Sequence, residues 1–289
     1  MSWKTGVEKA LSSKLNSEIK ILSDRFTGGG SINDARIIKT TSGYYFVKVN
    51  SAALYPVMFE KEAKGLTLLK KTGVVTVPAV IAYGEEKEDA FLILEYINSS
   101  TAASGYWKRL GEELAALHRH TASSFGLDHN NYIGSLSQSN KHHHTWSSFF
   151  REERLEPQVV LAFNNGRIDK ELIKQFDTFY HRLENLFPKE PPSFIHGDLW
   201  GGNVMTGKNG EPVIIDPAVY YGHREMDLGM SMLFGGFNQK FYDSYAQAYP
   251  LESGWRERMD FCNLYPLMVH VNLFGGGYAG SVKSILKRF

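Results

Sequence analysis

The stretch from Ser193 to Asp216 constrains this chain more than any other. It reads Ser-Phe-Ile-His-Gly-Asp-Leu-Trp-Gly-Gly-Asn-Val-Met, then a short Gly-containing turn, then Pro-Val-Ile-Ile-Asp-Pro. Two carboxylates, Asp198 and Asp216, flank one amide, Asn203, which lies five positions after the first acid. The apolar run Val213 to Ile215 reads as a short buried strand that delivers an acid at its end.

An acid, an amide five residues on, and a second acid at the end of the next strand form the arrangement that the kinase template uses for phosphoryl transfer. ATP brings several negative charges, so moving its γ-phosphoryl needs hard cations. Mg²⁺ takes carboxylate and amide oxygens and keeps several of its waters. In this reading Asp216 binds metal directly, Asn203 completes a second site, and Asp198 accepts the proton of the attacking hydroxyl. Protein kinases have His-Arg-Asp and Asp-Phe-Gly where this chain has His196-Gly197-Asp198 and Asp216-Pro217-Ala218. Those departures point to a small-molecule acceptor.

The 289 residues allow about two domains, and a hydrophobic content of 43% supplies a large core. A formal net charge of +1 sets up no basic field for nucleic acid. The only cysteine is Cys262, so no intramolecular disulfide can form. The N-terminal residues lack the apolar core of a signal peptide, and no apolar run is long enough to span a bilayer. A soluble, cytoplasmic protein without a membrane or nucleic-acid partner is the expectation.

Val7, Leu11, Leu15, Ile19 and Leu22 recur at helical spacing and predict an opening amphipathic helix. Gly28-Gly29-Gly30-Ser31 follows, before strands expected over Ala35 to Thr40 and Tyr44 to Val49. Glycines let backbone N–H groups approach phosphates closely, so Gly29, Gly30 and Ser31 are candidate nucleotide contacts. Lys48, the one cation in Phe46-Val47-Lys48-Val49, is the candidate for the α- and β-phosphates. A helix over Val57 to Lys71 offers it a partner. Glu62 borders that helix's apolar face, where a carboxylate is costly unless paired, whereas Glu60 pairs with Lys64 on the wet side. Phe91 to Ile97 reads as a strand ending in a polar stretch. The backbone of Glu95 and Ile97 is expected to meet adenine there. Trp107, Leu110, Leu114 and Leu117 predict the next helix, with His118 as a core histidine. Further helices are expected around Trp146 to Leu155 and from Ile168 to Phe187. His142 to His144 read as a solvated loop. Asp227, at the start of an apolar helix, is a helix-terminal anion with bracing of the catalytic loop as its second role. Gly275 to Gly280 matches a dinucleotide-binding glycine pattern, but it follows a helix and leaves no room for a βαβ unit.

These stretches together resemble the fructosamine kinase (ketosamine-3-kinase) family, of the aminoglycoside phosphotransferase and choline kinase-like superfamily. The likeness is carried by Tyr45 to Asn50, Phe59 to Ala63, His196 to Asn203, Ile215 to Ala218, Tyr221 to Leu228 and Met232 to Phe237. The resemblance implies an α+β, two-lobed protein-kinase-like fold. A small antiparallel-sheet lobe over residues 1–97 would bind nucleotide, and a larger, mainly helical lobe over residues 98–289 would bind the acceptor. It implies ATP and Mg²⁺ as cofactors, and phosphorylation of the sugar 3-hydroxyl of small-molecule or protein-bound ketoamines as a deglycation repair. Some members carry a redox-sensitive cysteine in the Gly-rich loop; Ser31 stands in that place here. Trp200, His223 and Glu225 are the candidate acceptor residues, through packing on sugar C–H groups and hydrogen bonds to hydroxyls. A different hydroxyl acceptor (an aminoglycoside, a choline-like amine, methylthioribose) and a nucleotide-binding module without turnover stay open as alternatives. So does the oligomeric state, as monomer or weak dimer.

Overall fold

The computed structural model describes residues 2–27 and 33–288. The expected phosphate contacts Gly29, Gly30 and Ser31 lie outside them. The chain opens with helix α1 (Ser2–Leu15) and strands β1 (Ile21–Phe26), β2 (Asp34–Thr40) and β3 (Gly43–Ser51). Helix α2 (Met58–Thr72), strands β4 (Val80–Glu86) and β5 (Asp89–Glu95), and helix α3 (Tyr106–His118) follow. Then come the short strands β6 (Asn131–Ile133) and β7 (Leu136–Gln138), helix α4 (Trp146–Phe149) running into a π-helical turn at Phe150–Leu155, and helices α5 (Glu156–Asn164) and α6 (Lys170–Arg182). Strands β8 (Ser193–Ile195), β9 (Val204–Thr206), β10 (Pro212–Ile214) and β11 (Tyr220–Gly222) carry the region singled out in the sequence. Helices α7 (Glu225–Leu233), α8 (Gln239–Ala248), α9 (Trp255–Phe274) and α10 (Tyr278–Leu286) complete the chain.

These elements form two compact units, residues 1–109 with 202–217, and residues 110–201 with 218–289. In the first unit, β1 to β5 make an antiparallel sheet in the order β1-β2-β3-β5-β4. Lys48 sits on β3 opposite Ala35 on one side and Leu92 on the other, in the middle of the sheet. Helix α1 covers one face: Trp3, Val7 and Leu11 bury against Ile38, Val47, Phe91 and Ile93. Helix α2 buries Phe59, Ala63, Leu66 and Leu69, so Glu62 comes to the edge of its apolar stripe. Glu60 and Lys64 pair at 2.6 Å on its outer side. The β9–β10 hairpin also belongs to this unit, and Ile214 N–H donates to the Thr76 carbonyl at 3.0 Å.

One expectation fails here. The helical spacing from Val7 to Leu22 does not make one helix, because α1 ends at Leu15 and Asn16 takes a left-handed φ of 52°. Ile19 then packs into the core from a connecting segment, and Leu22, half exposed, belongs to edge strand β1. Asparagine tolerates that backbone turn better than most residues, and the apolar spacing continued past it by coincidence.

The second unit is mainly helical. Trp146, Phe149 and Phe150 are buried together, with Trp146 stacked on Phe150 at 4.9 Å between centroids. Helix α9 is apolar on most of its circumference, as a central helix must be. Helix α3 meets α8 at Gly111, where a Cβ would overlap the main-chain carbonyl oxygen of Phe241. Overpacking a backbone contact costs about 1–3 kcal/mol. Gly111→Ala should therefore lower the melting temperature by several degrees in a circular-dichroism melt, and an unchanged melt would refute that close approach.

Candidate active site

Lys48 is 5% exposed, and its Nζ donates to Glu62 Oε1 at 2.8 Å and Asp216 Oδ1 at 2.7 Å. Burial alone would push the ammonium pKa down, but the two carboxylates outweigh it and the net shift is upward. Lys48 therefore stays a cation. Burial raises the Glu62 carboxyl, with Lys48 pulling it back and Asp216 adding to the rise. Three residues from a strand, a helix and a hairpin thus hold one fixed positive point.

The hairpin explains why Asp216 arrives there. Val204 pairs with Ile214, and Ile215 N–H donates to the Asn203 carbonyl at 3.0 Å, so Asn203 and Asp216 leave the hairpin at the same end. Asp216 itself has φ 56°. A left-handed residue directly before proline is unfavourable twice over, since proline pushes its predecessor toward extended backbone. Such strain gathers at functional positions, and here it turns the carboxylate back toward Lys48. The Asp216 side chain is 38% exposed, and its Oδ2 has no hydrogen-bond partner among the described residues. The donors here are hard oxygens, one carboxylate and one amide, which suits Mg²⁺ with phosphate and water oxygens in its remaining positions. Ile97, after β5, makes no backbone hydrogen bond among the described residues, whereas Glu95 N–H is engaged by the Ala79 carbonyl at 2.9 Å.

Asp198 lies in the second unit, in the turn after β8. The His196-Gly197-Asp198 run is a backbone device. His196 is buried, and its Nδ1 accepts the Asp198 N–H at 3.2 Å. Gly197 has φ 83°, and a Cβ there would overlap the Ala218 carbonyl. Asp227, fully buried in the first turn of α7, accepts His196 N–H at 2.7 Å and Gly197 N–H at 2.9 Å. Its Oδ2 also meets His118 Nε2 at 3.2 Å, and Tyr245 Oη lies 2.7 Å from His118 Nδ1. With the carboxylate on Nε2, that nitrogen carries the proton and Nδ1 accepts from the tyrosine hydroxyl. A chain of Tyr245, His118 and Asp227 thus fixes the backbone that presents Asp198. Asp227 is named in the sequence mainly by its position at a helix start. Its isolation between Met226 and Leu228 was the stronger signal, because a buried acid must find partners.

Trp200 belongs to the same turn, donating its N–H to the Asp198 carbonyl at 3.1 Å, with its ring edge-on to Phe234 at 6.0 Å. His223 and Glu225, expected at the acceptor, are instead internal. They are 1% and 0% exposed. His223 Nε2 donates to the Pro188 carbonyl at 3.3 Å, and its Nδ1 accepts the Glu225 N–H at 3.3 Å. Burial pushes the His223 pKa down. Arg258 grips both Glu225 carboxylate oxygens, at 2.8 and 2.6 Å. Neither side chain keeps a polar atom for a sugar hydroxyl. Arg224 between them forks onto Glu190 at 2.7 Å through two nitrogens. The segment is a buried ion-pair scaffold. His143 pairs with Glu153 at 2.9 Å, and no cluster of three or more His, Cys, Asp or Glu side chains able to hold a metal occurs among the described residues. No helix among them is long and apolar enough to cross a membrane.

A lysine clamped by a helix glutamate and a hairpin aspartate, on an antiparallel sheet, is the phosphate-side arrangement of a kinase-like phosphotransferase, and solved kinase-like structures share the fold. A model of the fructosamine kinase family matches residues 2–289, and the chain belongs to that family. It is 40% identical over 263 residues to a probable ketoamine kinase of Enterococcus faecium, covering 90% of this chain and 93% of that one. It is 39% identical to a chloroplastic protein-ribulosamine 3-kinase of Arabidopsis thaliana, covering 90% of this chain and 80% of that one. A crystal structure from Haemophilus somnus, of a protein assigned as a fructosamine-3-kinase, superposes with a TM-score of 0.88 at 28% identity, covering 98% and 96% of the two chains.

The Asp227 carboxyl has its pKa lowered: burial raises it, but His118, His196 and the Gly197 N–H outweigh that and hold it down. A depressed carboxyl stabilises the fold fully above its unfolded value near 3.8, and that stability is lost as pH falls through the lower folded value. Asp227→Asn should lower the melting temperature at pH 7 and flatten its decline below about pH 4. Equal acid limbs for wild type and variant would remove Asp227 from the account.

Proposed function

We propose that this chain transfers the γ-phosphoryl group of ATP to the sugar 3-hydroxyl of ketoamines, and so acts in deglycation. The reading is carried by the Lys48–Glu62–Asp216 triad, which holds a fixed cation beside an incompletely partnered carboxylate. Family membership supports the acceptor class. Lys48 would contact the α- and β-phosphates, and the backbone of Glu95 and Ile97 would meet adenine, with the Ile97 N–H unengaged among the described residues. Asp216 and Asn203 would hold Mg²⁺, which when bound neutralises charge developing on the phosphates. Asp198, on a backbone held by Asp227, would take the proton of the attacking hydroxyl.

The test is ADP release with fructosyl-lysine and ribulosyl-lysine as acceptors, beside choline and an aminoglycoside. Turnover confined to the ketoamines is expected. Turnover of another alcohol alone would overturn the acceptor and leave the phosphotransferase. Asp198→Asn should keep nucleotide affinity yet lose about 10²–10⁴ in kcat, whereas near-normal kcat would remove Asp198 as base. Asp216→Ala should abolish Mg²⁺-dependent nucleotide binding measured by calorimetry. Lys48→Met should weaken turnover more than Glu62→Gln does, since it removes the cation that faces phosphate.

A further inference from the structure

The second unit carries a run of aromatic rings that begins at the catalytic turn and goes beyond it. Trp200 meets Phe234 at 6.0 Å, Phe234 meets His270 at 5.0 Å, and His270 meets Phe274 at 5.4 Å and Tyr278 at 5.0 Å. Four places along the chain supply it: the turn after β8, the residue that follows α7, the last turns of α9, and the start of α10. Phe234 is 41% exposed and Phe274 50%. Large aromatic faces left open to water cost free energy, and most of this chain's phenylalanines are buried. The glycines around the run keep its base close to the catalytic turn, since a Cβ on Gly201 would come 3.2 Å from the Gly235 carbonyl. His270 donates Nδ1–H to the Pro266 carbonyl at 2.7 Å, and burial pushes its pKa down, so the middle of the run is a neutral ring.

We infer that this aromatic track binds the arm attached to the ketoamine nitrogen, and so sets which amine adducts the enzyme prefers. The inference rests on the ketoamine reading above and extends it from the sugar to the amine. A ketoamine has two ends. The sugar must bring a hydroxyl to Asp198, and the nitrogen carries whatever amine was glycated. Trp200, two residues from Asp198, is the first ring of the track, so an acceptor whose sugar reaches Asp198 has its amine arm directed along Phe234 toward Phe274 and Tyr278. A lysine arm is a four-carbon apolar stem, which packs on aromatic faces, and the ketoamine nitrogen, protonated near neutral pH, gains from facing a ring. The track therefore favours adducts with long alkyl or aryl arms over those of small amines.

The experiment compares wild type, Phe234→Ala and Phe274→Ala on two acceptors with the same sugar, Nε-fructosyl-lysine blocked at its α-amine and fructosyl-methylamine. Both substituted residues are half exposed, so the fold should survive, and melting curves check it. Wild type should prefer the long-armed acceptor. Each variant should cut the ratio of kcat/KM values, long over short, by about three- to tenfold, with the loss falling on KM for the long-armed acceptor. If wild type phosphorylates both acceptors and the variants leave the ratio unchanged, the track is refuted while the ketoamine reading stands. If wild type phosphorylates neither, the ketoamine reading fails and the track falls with it.

Discussion

A buried ammonium between two carboxylates is the constraint on which the first unit of this protein depends. Desolvating Lys48 would be prohibitive without Glu62 and Asp216. Satisfying it fixes three elements at once: the centre of the sheet through β3, the inner edge of α2, and the end of the β9–β10 hairpin. Asp216 meets Lys48 while holding a left-handed backbone before a proline. The local cost of that turn is offset by the buried cation it completes, which is why the strain sits at this position.

The His196-Gly197-Asp198 turn obeys a parallel rule in the second unit. Its N–H groups point inward, and a buried backbone donor must be paired. Asp227 pairs two of them, and His118 with Tyr245 holds Asp227 in turn. Asp198 therefore rides on a main chain held by buried hydrogen bonds, as the proposed role of general base would need. The price of this rigidity is a buried charge, and the lowered pKa of Asp227 shows that its partners more than compensate.

Chemistry and scaffold draw on the same residue types. His223, Arg224 and Glu225 have the polar composition of a binding site, yet they form ion pairs and hydrogen bonds with Glu190, Arg258 and the Pro188 carbonyl. The aromatic residues divide the other way. Trp146, Phe149 and Phe150 are core, while Phe234 and Phe274 stay partly open to solvent.

By itself the sequence determined the strands at β2, β3 and β5 and helices α2 and α3, and it singled out Lys48, Glu62, Asn203, Asp198 and Asp216 as candidates, of which Lys48, Glu62 and Asp216 meet in one triad. Each lay in a periodic pattern or at a fixed spacing, and both are properties of neighbouring residues. It did not determine the end of α1 at Leu15 or edge strand β1, because apolar spacing tells which residues seek burial and not which element carries them. Nor did it determine that the 202–217 hairpin groups with residues 1–109, that Asp227 braces the loop, or that His223 and Glu225 turn inward. Those outcomes depend on partners such as Lys48, His118, Glu190 and Arg258, and most of these lie 30 or more residues away along the chain. Only the folded chain brings such groups within hydrogen-bond reach, so tertiary structure alone decided which polar residues are spent on the scaffold and which remain for chemistry.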